Sequence, residues 1–553
     1  MILFPGRRGR VYAPFVPTEV APTSLLVSPK QAGFAPGGAG YWLSLLLLCC
    51  GACTPVVQTE SGAVRGSGTL SVVSFKNIPY AAPPEGEWRW RPPRRAVSWD
   101  GELDATMWGP RCAQVDTNGE ISGSEDCLRL NIWAPAGVEP GSRPVLVWIH
   151  GGSLIRGTAM SSSTDGERLV ARTGVVVVSI NYRLGAFGYF PHQLLAGESG
   201  TTGNYGLLDQ VAGLEWVQRN IPAFGGDPNR VAVFGQSAGG FSVCSLVASP
   251  LAKHLFSAAI IMSGGCSART WNEGLAAGQQ FVAATSCDAA DSLACLRSLS
   301  MEAVLRALPP DTGYATVVDG YALTDDPLRT IARGGHQHVP VIIGNTSEEE
   351  GGSGSGILTE ADYRNAILRL FPYPTALPLI LQQYPVWEYA SPGDAYVAFA
   401  GDYKYACPAR RAARAFLAAQ DEAVYRYVFS HVLDNAPAEV RSLGARHSSD
   451  VPYIFDKLDS GGYEVSEAEQ GLVDDFARYF TALAAVGRVA DPVAPAWPLY
   501  DGNDTYLRID SPVRSESGYR TRQCDFWDYL LTLKPLAPAL TAPRSVRPAP
   551  RGS

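Results

Sequence analysis

The stretch "VFGQSAGG", residues 233–240, places Ser237 between two nearby glycines, directly after a short apolar run. Residues 235–239 fit the pattern G-x-S-x-G, in which a serine occupies a sharp turn between a strand and a helix. A chain with 57 glycines will match this pattern by chance, so the surrounding sequence must distinguish a reactive serine from an ordinary loop serine.

The segments on either side of Ser237 fit a turn between a strand and a helix. "RVAVF" (230–234) is predicted to be a buried strand, and "AGGFSVCSLVAS" (238–249) a helix rich in small residues. A turn this sharp strains the serine, and side chains at the neighbouring positions would collide with the strand and the helix. Gly235 and Gly239 remove those collisions, so the two glycines indicate that Ser237 is a nucleophile.

The rest of the chain predicts an α/β fold with a mainly parallel central sheet covered by helices on both faces. Short runs that are apolar on both faces are typical of strands in a covered parallel sheet. Helical patterns between them, such as the apolar spacing from Leu207 to Ile221, indicate alternating strands and helices. Ligands of such sheets bind at the carboxyl ends of the strands, where Ser237 lies. The predicted strands are "PVLVWIH" (144–150), "GVVVVSINY" (174–182), "RVAVFG" (230–235), "AAIIMSG" (258–264) and "VPVIIG" (339–344).

A second glycine-rich turn, "WIHGGS" (148–153), ends one of these strands about 85 residues before Ser237. A serine nucleophile needs hydrogen-bond donors for the oxyanion that forms on its substrate. The turn resembles the HGGG-type motif that supplies such donors in α/β-hydrolases. We therefore predict that the backbone amides of Gly152, Ser153 and Ala238 form an oxyanion hole.

One of the seven histidines, His447, has the position expected of the catalytic base. A serine hydroxyl is a weak nucleophile until a base takes its proton. In α/β-hydrolases the base follows the nucleophile and the acid along the chain, and His447 lies in the late loop "LGARHSSDVPYIF" (443–455). His150 belongs to the oxyanion turn and comes too early for this order. The others are predicted to be surface or packing residues: His192, His254, His336, His338 and His431.

The composition is that of a globular protein without nucleic-acid partners. The 553 residues are 46% hydrophobic and 18% charged, which is enough apolar material for a large core. The net charge of −8 argues against a nucleic-acid partner, because neutralising phosphates requires clustered lysine and arginine. No apolar run reaches 18 residues, so no transmembrane helix is expected.

Both ends of the chain differ from its middle, which is predicted to be one catalytic domain over residues 55–534. Residues 1–54 are predicted to be a leader, because "YWLSLLLLCCGA" (41–52) is an apolar stretch of signal-peptide length that ends in small residues. "CGAC" then ends at Cys53 in a form that resembles a bacterial lipobox and predicts lipidation there. The alternative is a leader with no role in export. Residues 535–553, rich in proline, alanine and arginine, are expected to be a disordered tail.

A series of motifs extends over nearly all of the predicted domain. It runs from "FKNIPYAAPPEGEWRWRPP" through "SEDCLRLNIW", "NYRLGAFGY", "GNYGLLDQ" and "FGGDPNRVAVFGQSAGG" to "HSSDVPYIF" and "QCDFWDYLLTL". Together these motifs closely resemble the type B carboxylesterase family, which also contains cholinesterases, fungal lipases and the non-catalytic neuroligins. The resemblance implies an α/β-hydrolase fold and a triad of Ser237, a glutamate and His447. It implies the same three oxyanion donors.

The triad acid implied by this resemblance lies in "GNTSEEEGG" (344–352), where three adjacent glutamates compete. In the family the glutamate lies five residues after the glycine that ends the strand, and counting from Gly344 selects Glu349. Counting back from the glycine that follows the acidic run selects Glu350 instead. We choose Glu349, because the strand fixes Gly344 in the sheet while the glycine-rich segment can absorb an insertion. Glu348 and Glu350 then form a solvated acidic turn.

Eight cysteines follow the leader, which suits an exported protein because disulfides persist in oxidising compartments. The family's pairing implies three disulfides, Cys112–Cys127, Cys287–Cys295 and Cys407–Cys524. It leaves Cys244 and Cys266 as free, buried thiols.

Two features bear on the substrate. The loop "AQVDTNGEISGSED" (113–126) is short and lacks the tryptophan with which cholinesterases bind quaternary ammonium groups by a cation–π contact. The chain therefore resembles general bacterial esterases more than choline ester specialists. Ser153 replaces the third glycine of the oxyanion turn, and its Cβ crowds the pocket. By the resemblance, this disfavours bulky esters of tertiary alcohols.

The sequence thus predicts an exported carboxylesterase that is secreted, periplasmic or lipid-anchored to the cell envelope. It would act on small-molecule carboxylic esters through an acyl-enzyme, and this chemistry needs no metal or organic cofactor. One alternative is a catalytically silent binding protein on a hydrolase domain, as in neuroligins, which lack the serine that this chain keeps. The other, within the same class, is a lipase for longer acyl chains.

Overall fold

An eleven-stranded sheet runs through the part of the chain that the computed structural model describes, residues 54–287, 292–307 and 313–533. The lipobox-like segment with Cys53 and the predicted tail at 535–553 lie outside the described residues. Numbered in chain order, the strands are β1 (Ser67–Gly68), β2 (Val72–Pro79), β3 (Arg129–Pro135), β4 (Arg143–Ile149), β5 (Val176–Ile180), β6 (Gly226–Gln236), β7 (Ala258–Met262), β8 (Val341–Thr346), β9 (Val424–Phe429), β10 (Thr505–Ile509) and β11 (Arg514–Ser517).

The strand order across the sheet is β11-β10-β9-β8-β7-β6-β4-β5-β3-β2-β1. Every pair from β10 to β5 is parallel, and the pairs at both edges are antiparallel. Two smaller sheets accompany it, formed by Val56–Thr59, Gly62–Arg65 and Glu102–Asp104, and by Gln114–Val115 with Ile121–Ser122. The predicted mainly parallel sheet is therefore confirmed, and the carboxyl ends of its central strands share one edge.

Seventeen α-helices are present in the described part of the chain, many of them between consecutive strands. In chain order, α1–α17 are Glu167–Thr173, Gly185–Tyr189, Gln193–Ser199, Tyr205–Asn220, Ala238–Ala248, Trp271–Ala283, Ser292–Ser298, Met301–Arg306, Pro327–Ala332, Glu360–Leu370, Leu377–Gln383, Pro392–Gly401, Cys407–Ala419, Ala438–Arg441, Val451–Ile454, Glu467–Val486 and Thr521–Thr532. Among these residues, no helix combines the length and the apolar character needed to cross a membrane.

Helices cover both faces of the sheet, and the alternation of side chains along a strand shows this directly. In β6, Val231 and Val233 pack into one buried apolar cluster, while Ala232 and Phe234 pack into another on the opposite face. Successive strand residues point to opposite faces, so a strand that is apolar at every position needs cover on both. Helix α4 covers the first face with Leu207, which belongs to the apolar stripe predicted for it.

Four disulfides occur among the described residues, and they fit an exported protein. The three expected pairs are present, Cys112–Cys127, Cys287–Cys295 and Cys407–Cys524. The last joins two segments 117 residues apart and lies inside a third apolar cluster.

The prediction that Cys244 and Cys266 are free is wrong, because they form the fourth disulfide. Cys244 lies in α5 and Cys266 lies shortly after β7, with 5.3 Å between their Cα atoms. The two segments approach this closely because neither Gly240 nor Gly264 has a side chain: a Cβ on Gly240 would lie 3.1 Å from the Gly264 Cα. The 5.3 Å between the Cα atoms of Cys244 and Cys266 is within the range that a disulfide can span.

We expect the Cys244–Cys266 disulfide to be detectable by peptide mapping without reduction. Protein denatured and alkylated without reductant should give a linked peptide pair and no alkylated Cys244 or Cys266. The variant with both cysteines changed to serine should lose about 2–4 kcal/mol of unfolding free energy, because the bridge restricts the unfolded chain. Quantitative alkylation of either cysteine before reduction would contradict this assignment.

Candidate active site

Ser237 lies at the strained turn between β6 and α5. Its backbone has φ 59° and ψ −125°, a conformation that a residue with a side chain adopts only when its surroundings impose it. The chain passes directly from Gln236, the last residue of β6, through Ser237 to Ala238, the first residue of α5. The Ser237 amide donates to the Met262 carbonyl of the neighbouring strand (2.9 Å), which holds the turn against the sheet.

The two glycines flanking the serine are required by the packing of this turn. A Cβ on Gly235 would lie 2.5 Å from the Gly239 carbonyl oxygen, so the strand and the helix are in contact at this point. A Cβ on Gly239 would lie 2.0 Å from the carbonyl oxygen of Ile149, at the end of β4. Both distances are far inside van der Waals contact, and both opposing atoms are backbone atoms that cannot rotate away. The structure therefore agrees with the prediction that these two glycines avoid collisions at the turn.

The predicted oxyanion turn follows β4 and lies beside Ser237. Gly235 is paired with Ile149 in the parallel register of β6 and β4, so the two strands end next to each other. A Cβ on Gly151 would lie 3.1 Å from the Ser237 Cβ, which places the turn against the serine. Gly152 has φ 112° and Ser153 has φ 56°, so the backbone reverses sharply here. Ser153 adopts this left-handed conformation with a side chain present.

His150 supports the turn from inside the protein. Its Nδ1 lies 2.8 Å from the Gly151 carbonyl oxygen, which can only accept, so Nδ1 carries the proton. The Tyr182 hydroxyl donates to the His150 carbonyl (2.7 Å), and the two rings stack at 4.4 Å. Burial lowers the pKa of His150 to about 4, so the ring is neutral near pH 7. These contacts agree with the prediction that His150 belongs to the turn.

His447 and Glu349 meet at the carboxyl end of the sheet. His447 Nδ1 lies 2.5 Å from Glu349 Oε2, and the His447 amide donates to the Glu349 carbonyl (3.2 Å). The other carboxylate oxygen, Oε1, accepts the amide of Thr346 (2.9 Å). The Glu349 side chain is 1% exposed and that of His447 26%. The carboxylate is thus held in place and shielded from solvent, while the imidazole is partly exposed.

The other two glutamates of the acidic run have different partners. Glu348 Oε2 accepts the Ala445 amide (3.0 Å), in the loop that leads to His447. Glu350 forms an ion pair with Lys404, and both side chains are largely buried. Burial acts against a charged Lys404, but Tyr405 and Glu350 raise its pKa above the usual value. The expected solvated acidic turn is therefore wrong for both residues, since each carboxylate has a specific partner inside the protein.

Two residues near His447 were not predicted. Gln236 Nε2 lies 3.2 Å from His447 Nε2, which places the imidazole beside the serine turn. Tyr405 packs its ring against that of His447 at 4.6 Å, and burial raises the pKa of its hydroxyl to about 12. Tyr405 belongs to Asp402–Ala406, a single turn of π-helix, a distortion that is frequent at functional sites. In the sequence, Tyr405 is marked only by its nearness to Cys407, which does not reveal its contact with His447.

A cleft opens over Ser237, Ser153 and Ala238. Leu154, Phe241 and Tyr314 contribute apolar surface to its walls. Ser242, Ser245, Ser267 and Thr316 contribute hydroxyl groups, and Lys404 and Tyr405 also line the cleft. The cleft therefore offers a mixed surface for a small organic molecule, directly above the candidate nucleophile.

Taken together, the site brings a serine, an imidazole–carboxylate pair and a turn of backbone amides to one edge of the sheet. Comparison with known proteins identifies the family of the chain. The model of the carboxylesterase family matches residues 53–527. Cocaine esterase of Homo sapiens is 34% identical over 545 residues, which cover 89% of this chain and 94% of that protein.

Two further relatives extend the comparison. Liver carboxylesterase B-1 of Rattus norvegicus is 32% identical over 536 residues, covering 86% of this chain and 94% of that protein. Acetylcholinesterase of Bungarus fasciatus is 31% identical over 566 residues, covering 91% and 92%. With the family's pattern matched over most of the chain, and with the observed sheet and turns, this chain belongs to the carboxylesterase family of α/β-hydrolases.

Proposed function

We propose that this carboxylic ester hydrolase uses Ser237, His447 and Glu349 as its catalytic triad. The observation that carries the proposal is the 2.5 Å contact between His447 Nδ1 and Glu349 Oε2, beside the strained turn at Ser237. A carboxylate on Nδ1 holds the proton there, so Nε2 has the lone pair that can accept a proton. Nε2 lies next to Gln236, the residue before the serine.

The reaction follows from these positions. Ser237 Oγ attacks the ester carbonyl carbon while His447 Nε2 takes its proton, and Glu349 stabilises the imidazolium that forms. The carbonyl oxygen becomes an oxyanion and accepts hydrogen bonds from the amides of Gly152, Ser153 and Ala238. The intermediate then expels the alcohol, which receives its proton from His447. Water, deprotonated by His447, attacks the acyl-enzyme, and the acid leaves with Ser237 Oγ protonated again.

The substrates we propose are small carboxylic esters of unbranched or moderately branched alcohols. Ser153 lines the cleft in a left-handed backbone conformation, and its Cβ takes up space that a glycine would leave open. The loop between Cys112 and Cys127 carries no tryptophan, so a cation–π site for choline is not provided there. The hydroxyls of the cleft favour substrates with polar groups near the ester. A profile of p-nitrophenyl esters from acetate to palmitate would distinguish this esterase from a lipase.

Replacing Ser237 with alanine should abolish ester hydrolysis and leave the fold intact. Loss of a serine nucleophile costs on the order of a millionfold in kcat, because no other group forms the acyl-enzyme. Initial rates on p-nitrophenyl acetate measure the loss, and circular dichroism checks the fold. Ser245→Ala is the matched control, since it removes a hydroxyl from the same cleft and should stay within a few-fold of wild type. Near-normal activity of Ser237→Ala would contradict the mechanism, and an inactive wild type would favour a binding protein.

Replacing Glu349 with glutamine should lower kcat by about 10⁴, because an amide keeps the shape but not the charge that stabilises the imidazolium. The neighbouring changes Glu348→Gln and Glu350→Gln are the controls and should remain within a few-fold in kcat. Glu350→Gln should also lower the thermal stability, because it leaves the largely buried Lys404 without its carboxylate. If Glu350→Gln were crippling and Glu349→Gln mild, the acid would have been misassigned by one residue.

We propose in addition that the catalytic domain spans residues 55–534 between an export leader and a C-terminal tail. The apolar segment at 41–52 followed by Cys53 supports export and lipidation at Cys53. The presence of disulfides in the catalytic domain supports an oxidising destination independently.

The anchor can be tested by detergent partitioning of the mature protein. If Cys53 is lipidated, the protein should enter the detergent phase, and Cys53→Ser should release it into the aqueous phase with its esterase activity unchanged. Cys50→Ser is the matched control and should leave the partitioning as it is. Finding a mature N-terminus at another residue would remove the anchor from the proposal but leave export in place.

A further inference from the structure

Three ionisable side chains converge at the carboxyl end of the sheet without belonging to the proposed triad. His431 lies just after β9, Asp434 follows in the same loop, and Glu469 lies in the first turn of α16. One ligand atom from each lies within 4.8 Å of the other two. We call this group the His431 cluster.

The imidazole of His431 is oriented by a carboxylate. Its Nδ1 lies 3.2 Å from Oδ1 of Asp510, the residue after β10, and an ionised carboxylate can only accept. Nδ1 therefore carries a proton, and Nε2 faces the other way. The residue is 5% exposed, so this orientation is held inside the protein.

His431 Nε2 points at two further carboxylates but has no hydrogen-bond partner among the described residues. It lies 3.6 Å from Glu469 Oε1 and 4.0 Å from Asp434 Oδ1. A cation placed between this nitrogen and the two carboxylate oxygens would interact favourably with all three. The helix-capping interaction of Glu469 does not explain why this buried nitrogen is directed at two carboxylates.

The negative charge of the cluster also favours a bound cation. Glu469 is fully buried, and in the described part of the chain no lysine or arginine forms an ion pair with it. The Ser466 amide bonds to its Oε2, as in an ordinary capping box. The Tyr463 hydroxyl (2.7 Å) and the Asp434 amide (3.0 Å) both donate to its Oε1. These are neutral donors, and a buried carboxylate without a counter-charge is costly.

We propose that His431, Asp434 and Glu469 bind a divalent transition-metal cation, represented here by Zn²⁺. One imidazole and two carboxylates form a ligand set that suits this ion, with bonds of about 2.0–2.2 Å. Ligand atoms of such a tetrahedral shell lie about 3.4 Å apart, so the 3.6 Å and 4.0 Å separations require only small movements. Asp434 is exposed, so its side chain can make that movement and admit the ion from solvent.

Asp510 has the place of an outer-shell partner in this site. Metal-binding histidines commonly donate their other ring N–H to a carboxylate, which fixes the ring and makes the ligating nitrogen more basic. Arg508 lies 3.5 Å from the second oxygen of Asp510 and compensates its negative charge. The ion would join the loop after β9, which continues to His447, to helix α16. Its role is therefore structural, and no step of the ester hydrolysis passes through it.

The test is a zinc titration of the purified full-length protein after treatment with EDTA and removal of the chelator. Equilibrium dialysis at neutral pH should give one zinc ion per chain. Asp510→Asn should weaken binding about 10- to 100-fold, the usual cost of losing an outer-shell partner, and Asp434→Asn at least as much. Asp434 is the preferred ligand to change, because it is exposed and its replacement does not threaten folding, unlike a change at the buried His431. Glu439 is an exposed carboxylate in the nearby short helix α14, so Glu439→Gln is the matched control and should bind as wild type does.

Two outcomes would overturn the proposal. Absence of stoichiometric zinc binding to the wild type would show that the His431 cluster does not hold this ion. Binding that survives in Asp434→Asn and Asp510→Asn would place the ion elsewhere on the protein. Esterase activity should persist in Asp434→Asn, so failure of this site can be told apart from failure of the proposed triad.

Discussion

The contact between the serine turn and the end of β4 is the constraint on which the site depends. A Cβ on Gly239 would meet the Ile149 carbonyl oxygen at 2.0 Å, so these backbones lie too close together for any side chain at this position. The approach places the turn after β4 against Ser237 and holds the serine at φ 59°. The same contact thus exposes the candidate nucleophile and positions the amides proposed to stabilise the oxyanion. Strain at Ser237 persists because β6, α5 and β4 together leave it no alternative.

The parallel arrangement of the sheet brings the remaining groups to this place. Glu349 follows β8 and His447 lies in the loop after β9, two segments nearly one hundred residues apart that meet because parallel strands end at a common edge. The proposed zinc site uses the same edge, since His431 and Asp510 follow β9 and β10. Both groups depend on the loop between β9 and α15. The base of the proposed triad, His447, lies in this loop, and the proposed zinc site would anchor the beginning of the loop.

Much of the fold and of the candidate site could be predicted because the relevant signals are local. Apolar runs revealed the central strands, and the steric demand of a sharp turn made Gly235 and Gly239 informative around Ser237. Glu349 was chosen by counting from a strand whose end is fixed in the sheet, and the structure places that residue, not Glu350, against His447. In each case the information lies within a few residues of the site.

The features that sequence reasoning missed depend on contacts between distant segments. The Cys244–Cys266 disulfide forms because Gly240 and Gly264 permit a close approach, which the spacing of cysteines does not reveal. Tyr405 reaches His447 from a π-helical turn that no motif marks. Glu348 and Glu350 resemble a solvated turn in the sequence, but a loop amide and Lys404 bind them. His431 was predicted to be a surface or packing residue, and its carboxylate neighbours come from three separate parts of the chain.

The central claim is that Ser237 is the nucleophile and that the turn after β4 binds the oxyanion beside it. The most direct measurement is a crystal structure of the protein after reaction with a small alkyl fluorophosphonate, which forms a stable tetrahedral adduct on an activated serine. The account predicts a covalent bond from Ser237 Oγ to phosphorus, with the phosphoryl oxygen about 2.7–3.1 Å from the amides of Gly152, Ser153 and Ala238. An adduct on another residue, or a phosphoryl oxygen directed away from those amides, would contradict it.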